Sequence, residues 1–126
     1  MRMIKHAKQL TLGEFIAKLK SCPQDVWVEF DFCSFVPDGC DSYRGYYEDL
    51  ALGFRESDSE ELTVAQLLEE MQEANGREFS GWKGGEFEMG DSTPLWVANR
   101  GDATGTAVTG VKSYHYKVVI KTRYVD

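Results

Sequence analysis

Hydrophobic and polar positions alternate along this chain with two different periods, and two segments follow the helical one. In Leu10-Thr11-Leu12-Gly13-Glu14-Phe15-Ile16 a threonine stands three residues before a glutamate, the spacing of a capping box, and Leu10 and Phe15 are placed as a hydrophobic staple. Leu12, Phe15, Ile16 and Leu19 then fall at i, i+3, i+4 and i+7, one apolar face, and Pro23 stops the helix. Leu62-Thr63-Val64-Ala65-Gln66-Leu67-Leu68 repeats the arrangement, with Val64, Leu67, Leu68 and Met71 on one face and Asn75-Gly76 as the exit. Common helix-start chemistry accounts for the match as well as a duplication would.

The remaining periodic segments alternate with period two. Val26, Val28, Phe30 and Phe32 point one way and Trp27, Glu29 and Asp31 the other, a strand with one buried face. Leu50, Leu52 and Phe54 repeat this after a loop. Residues 86–89 and 95–98 flank Gly90-Asp91-Ser92-Thr93-Pro94 and predict a hairpin, and 107–111 with 114–124 predict a second one across Lys112-Ser113. The expected fold is α+β: a mainly antiparallel sheet of about five to six strands covered by two amphipathic helices.

Size and composition narrow this further. A chain of 126 residues with 42% hydrophobic and 28% charged positions fits one core, a single domain over 1–126. No apolar run nears the roughly 20 residues of a membrane span, and the N-terminus lacks a signal-peptide core, so no membrane contact and a cytoplasmic location are expected. Cys22, Cys33 and Cys40 are an odd set without C-x-x-C spacing, which suggests neither a disulfide framework nor a zinc site.

A net charge of −7 argues against general nucleic-acid binding. The charge is uneven, however. Residues 55–91 hold eleven carboxylates against three basic side chains, whereas 111–126 hold Lys112, Lys117, Lys121 and Arg123 against Asp126 alone. An anion should therefore meet the C-terminal strand and the isolated arginines.

No catalytic constellation can be assembled. His6 and His115 stand near no serine, cysteine or acid at a spacing that implies a nucleophile with its base, and no metal or Walker motif is present. The pairs Glu60-Glu61 and Glu69-Glu70 have the pattern of solvated helix-flank charges. The expectation is therefore no enzyme, no catalytic residue, no cofactor and no metal.

Binding chemistry concentrates in three loops and one strand face. Ser42-Tyr43-Arg44-Gly45-Tyr46-Tyr47 joins the first two expected strands and frames an arginine with aromatic rings, a combination that grips phosphate and stacks a base. The alternative is a turn whose tyrosines pack on the sheet edge while Arg44 pairs with Glu48 or Asp49. Gly81-Trp82-Lys83-Gly84-Gly85-Glu86-Phe87 combines backbone N–H groups, an indole and a lysine, or is a tight turn with Trp82 in the core. Residues 99–105 add Asn99 and Arg100. On the last strand His115, Lys117, Lys121 and Arg123 share a face, to receive an anion or to pair with carboxylates of this or a neighbouring subunit. The candidate ligand-binding residues are Tyr43, Arg44, Tyr46, Trp82, Lys83, Asn99, Arg100, Lys121 and Arg123.

The runs at 42–52 (Ser-Tyr-Arg-Gly-Tyr-Tyr-Glu-Asp-Leu-Ala-Leu), 63–68 (Thr-Val-Ala-Gln-Leu-Leu), 81–87 and 93–98 (Thr-Pro-Leu-Trp-Val-Ala) resemble a family of small phage and prophage proteins, over most of residues 10–111. In size, α+β make-up and aromatic-plus-arginine loops the chain is also similar to phage anti-Thoeris sponge proteins. That second resemblance implies a counter-defence protein of the host cytoplasm, a homo-oligomer that sequesters a cyclic nucleotide or cyclic ADP-ribose-type immune signal without cleaving it. Its binding residues are not carried over, and the nine candidates rest on their chemistry here. The alternative is an acidic inhibitor or accessory module that docks on a basic host protein.

Overall fold

A computed structural model describes residues 8–32, 35–43, 49–56, 62–81, 85–98 and 105–125. In chain order the elements are α1 (Leu12–Lys20), β1 (Trp27–Phe30), β2 (Phe35–Ser42), β3 (Leu50–Glu56), α2 (Val64–Ala74), β4 (Glu78–Gly81), β5 (Gly85–Glu88), β6 (Leu95–Val97), β7 (Gly105–Ser113) and β8 (Lys117–Val125).

Both helices start where the capping pattern places them. Thr11 accepts from the Glu14 N–H while Glu14 accepts from the Thr11 N–H, and Thr63 and Gln66 do the same. Each box satisfies two backbone donors that a helix start otherwise leaves open. Leu12, Phe15, Ile16 and Leu19 are buried on α1, and Val64, Leu67, Met71 and Ala74 on α2, with Leu68 only partly covered. Past the Asn75 C-cap, Gly76 takes φ +86, the left-handed turn that lets the chain leave α2 without a Cβ clash.

Six strands form one sheet in the order β1-β8-β7-β6-β3-β2, and β4 and β5 form a separate ribbon. The sheet is mixed: β1 runs parallel to β8 and β3 parallel to β6, while the other neighbours are antiparallel. Leu50, Leu52, Leu95, Val97, Val108, Val118, Ile120, Val28 and Phe30 face the two helices and make one core with them. The sheet curls until its edge strands β1 and β2 touch, nearly a barrel. Phe32, Phe35 and Phe54 close that seam, with ring centroids 5.1 to 5.7 Å apart. The outer edge of β1 is covered in turn, because Val28 donates to the Leu62 carbonyl and Val64 to that of Val26, each at 2.9 Å.

Three expectations about strands need correction. β2 was not expected, because Phe35-Val-Pro-Asp-Gly-Cys has the composition of a turn. It forms at the sheet edge, where a proline is tolerated, and absorbs its irregularity as a bulge between Pro37 and Cys40. Residues 86–89 and 95–98 do not form a hairpin with each other. β5 pairs with β4, and β6 lies between β3 and β7. The turn between them docks on the start of α1 instead, with Leu12 donating to the Thr93 carbonyl at 2.7 Å and Gly13 to that of Asp91 at 2.9 Å. The β7–β8 hairpin forms as expected, but pairing continues through Lys112 and Ser113, so the turn moves to residues 114–116.

Candidate functional site

On the sheet face turned away from the helices the register brings small residues around one large one. Trp96 lies between Ala51 on β3 and Ala107 on β7. Its indole stacks on the ring of Tyr43 at 4.6 Å with planes 7° apart, and both side chains are fully buried. The indole N–H donates to Asp49 at 2.9 Å, and Tyr43 donates its backbone N–H to the Asp49 carbonyl at 2.8 Å. A Cβ on Gly105 would come within 2.6 Å of both rings, so glycine is required there by packing.

This knot bears directly on two of the three candidate loops. Tyr43 and Asp49 flank residues 44–48, and Ala98 and Gly105 flank residues 99–104. Ala98 packs against the knot, and Gly105 lies under its rings. The described residues on either side of both segments therefore meet at one place. Arg44, Tyr46, Asn99 and Arg100 themselves lie outside the described residues, as do Trp82 and Lys83. Gly81 and residues 85–87, which flank Trp82 and Lys83 in sequence, belong to the β4–β5 ribbon and not to the main sheet. Tyr43 is a buried ring that holds the loop ends and is closed to solvent.

The same outer face carries the basic stripe. Lys121 and Arg123 are exposed, and Lys121 lies opposite Gly110 and Arg123 opposite Ala107, a member of the knot. Lys117 is held by Glu29 at 2.7 Å, and that hydrogen bond raises its pKa above the ordinary value. Among the described residues no carboxylate pairs with Lys112, Lys121 or Arg123. Among the described residues the stripe thus divides between self-pairing at Lys117 and cations without a carboxylate partner elsewhere.

Four residues at the hairpin end were absent from the sequence-based candidates: Trp27, Lys112, Tyr114 and Tyr116. Tyr116 is 57% exposed and meets Trp27 edge-on at 6.2 Å. Alternation did show Trp27 pointing away from the core. The tyrosines stand out less because they fall in the same i, i+2 series as the core residues Val118 and Ile120, whereas the turn places them beyond the core.

Elsewhere, a groove of about 400 Å³ lies between α1 and the end of α2, beside the turn before β6, lined by Gly13, Ile16, Lys20, Gln72, Asn75 and Asp91. Asn75 donates to Asp91 across it at 2.7 Å, which spends its best polar groups on each other. Among the described residues no three His, Cys, Asp or Glu side chains are grouped to hold a metal, and no helix is long and apolar enough to cross a membrane.

Fold and site together define a small α+β protein with one helix-covered sheet face and one face that carries buried aromatics and exposed cations. No protein-family model, no curated protein and no solved structure matches the chain.

Proposed function

We propose that the protein binds and sequesters an anionic nucleotide-derived signal, a cyclic nucleotide or cyclic ADP-ribose-type molecule, without cleaving it, as a phage counter-defence protein would. One observation carries this reading. In a chain of net charge −7, Lys112, Lys121 and Arg123 stand on one sheet face with no carboxylate partner among the described residues. Open cations that an acidic protein leaves unneutralised are suited to an anion from outside. The knot adds support, since Tyr43, Ala98 and Gly105, the described neighbours in sequence of Arg44, Asn99 and Arg100, meet on that face.

The test is thermal melting with a panel of cyclic ADP-ribose isomers and cyclic di- and trinucleotides. A binder present at 100 times its Kd stabilises by about 2.7 kcal/mol, several degrees for a chain of this size. The ligand should return intact after denaturation. Lys121→Glu combined with Arg123→Glu should abolish the shift. No shift with any member removes the reading.

A second reading, an acidic module that docks on a basic host protein, is favoured by the exposed Glu69 and Glu73 of α2. Glu73 lies with Asp38 near enough to Glu70 to help raise its pKa. It predicts a specific basic partner in pull-downs that is lost when Glu69 and Glu73 are changed to glutamine. Unchanged recovery would count against it.

A further inference from the structure

Around Val119 the sheet register assembles an unbalanced charge cluster. Lys112 on β7 and Glu29 on β1 lie opposite Val119, and Lys117 and Lys121 are its neighbours on the same face of β8. Three ammonium groups thus stand around Glu29, and the next carboxylate along that edge, Asp31, accepts from the Thr122 N–H and hydroxyl. Glu29 takes Lys117 at 2.7 Å, which leaves Lys112 and Lys121 as diagonal neighbours across the strand pair, roughly 7 to 8 Å apart at the backbone. Like charges at that separation repel, and long side chains let both ammoniums converge on a single phosphate.

Aromatic rings border this cluster on the hairpin side. Lys117 Nζ lies 5.9 Å from the Tyr114 ring and 5.7 Å from that of Tyr116, and Lys112 Nζ lies 5.6 Å from Tyr114. With Trp27 against Tyr116, the rings are held in place by cation–π and edge contacts while more than half of Tyr116 stays open to solvent. Exposing such rings carries a hydration cost that an isolated turn does not require. Lysines alone would suit any anion, and rings alone any flat molecule.

We propose that the end of the β7–β8 hairpin is the ring-and-phosphate seat of the ligand, with Tyr116, Tyr114 and Trp27 stacking a nucleobase and Lys112 and Lys121 taking the adjoining phosphate. This rests on the nucleotide reading above and moves its main contacts from the loops to the hairpin. Losing a base stacked on an aromatic side chain weakens binding by roughly tenfold or more, so the rings are decisive for affinity.

Isothermal titration of the full chain with cyclic ADP-ribose, cyclic di-AMP and AMP, and with ribose 5-phosphate as a ring-free probe, tests it. At least one nucleotide should bind, with ribose 5-phosphate at least tenfold weaker. Tyr116→Ala and Lys112→Gln should each weaken binding at least tenfold, and Tyr116→Phe by much less. Tyr124→Ala, 76% exposed on the opposite face of β8, should bind like the parent. A nucleotide that binds the parent and Tyr116→Ala equally overturns the hairpin seat and leaves the nucleotide reading standing. Absence of any nucleotide binding overturns both. Circular dichroism of each variant confirms that the fold is retained.

Discussion

Trp96 donates its indole N–H to the carboxylate of Asp49 at 2.9 Å, and neither side chain has measurable exposure. The pair ties β6 to the start of β3 on the face opposite the helices, and the stacked Tyr43 ring brings in the end of β2. Trp96→Phe keeps a ring but deprives a buried carboxylate of that donor, which costs about 1 to 3 kcal/mol. Gly105→Ala pushes a methyl into both rings and should cost about 1 to 3 kcal/mol by overpacking. Urea denaturation measures both. Stability within about 0.5 kcal/mol of the parent in either variant would refute the packing account of the knot.

The capping boxes make a quieter prediction. Thr11→Ala and Thr63→Ala each remove a hydroxyl that accepts a backbone N–H at a helix start, at 3.3 and 3.2 Å. Each should destabilise by about 1 kcal/mol, whereas Thr→Ser at either place should cost little. The two boxes share no residues, so the double alanine variant should show the sum of the single effects to within about 0.5 kcal/mol.

Glu70 supplies a pH dependence with a definite sign. Its pKa is raised above the ordinary 4.5, first by loss of hydration on burial and then by Asp38 and Glu73, and one buried carboxylate oxygen has no hydrogen-bond partner among the described residues. A raised pKa means that the folded state holds the proton more tightly than the unfolded chain does. The group therefore favours folding below its unfolded value, and that contribution is lost as pH rises through the folded value. Glu70→Gln should accordingly raise Tm at pH 7, by no more than about 3 °C because the site is partly solvated, and the gain should disappear near pH 4. An equal gain at both pH values would exclude this cause.

Burial governs the thiols as well. The Cys40 thiol is pushed up to about 11 by burial, outweighing the favourable Arg77 charge nearby, and Cys22 is raised by burial too. Thiolate is the reactive form, so both should be nearly inert at neutral pH. A Cys33→Ser variant, which retains only these two, should react with iodoacetamide at pH 7.5 at least tenfold more slowly than the same protein in denaturant. Rapid labelling of the folded variant would contradict the burial of both thiols.

Much of this architecture is local in origin and therefore visible along the chain. A capping box needs four residues, a helix face eight and an alternating strand five, so both helices, β1, β3 and the β7–β8 hairpin follow from neighbours in sequence. The charge division between an acidic middle and a basic last strand is equally plain, as is the outward direction of Lys117, Lys121 and Arg123. Sheet order is another matter. Whether β6 pairs with β5 or with β3 depends on which edge its backbone groups reach, and the docking of Thr93 and Asp91 on α1 turns it away from the nearer partner. Pro37 and Gly39 disguise β2 because their local preferences favour a turn, and only the edge position and the bulge let them pair. Tyr43 and Trp96 are separated by more than fifty residues in the chain, and nothing near either signals that they stack. By itself the sequence determined the elements, their buried faces and the sign of charge along the chain. Tertiary structure alone decided that Tyr43 is a buried support and that Trp27, Lys112 and Tyr116 are neighbours, because strand register between distant segments selects which side chains share a face.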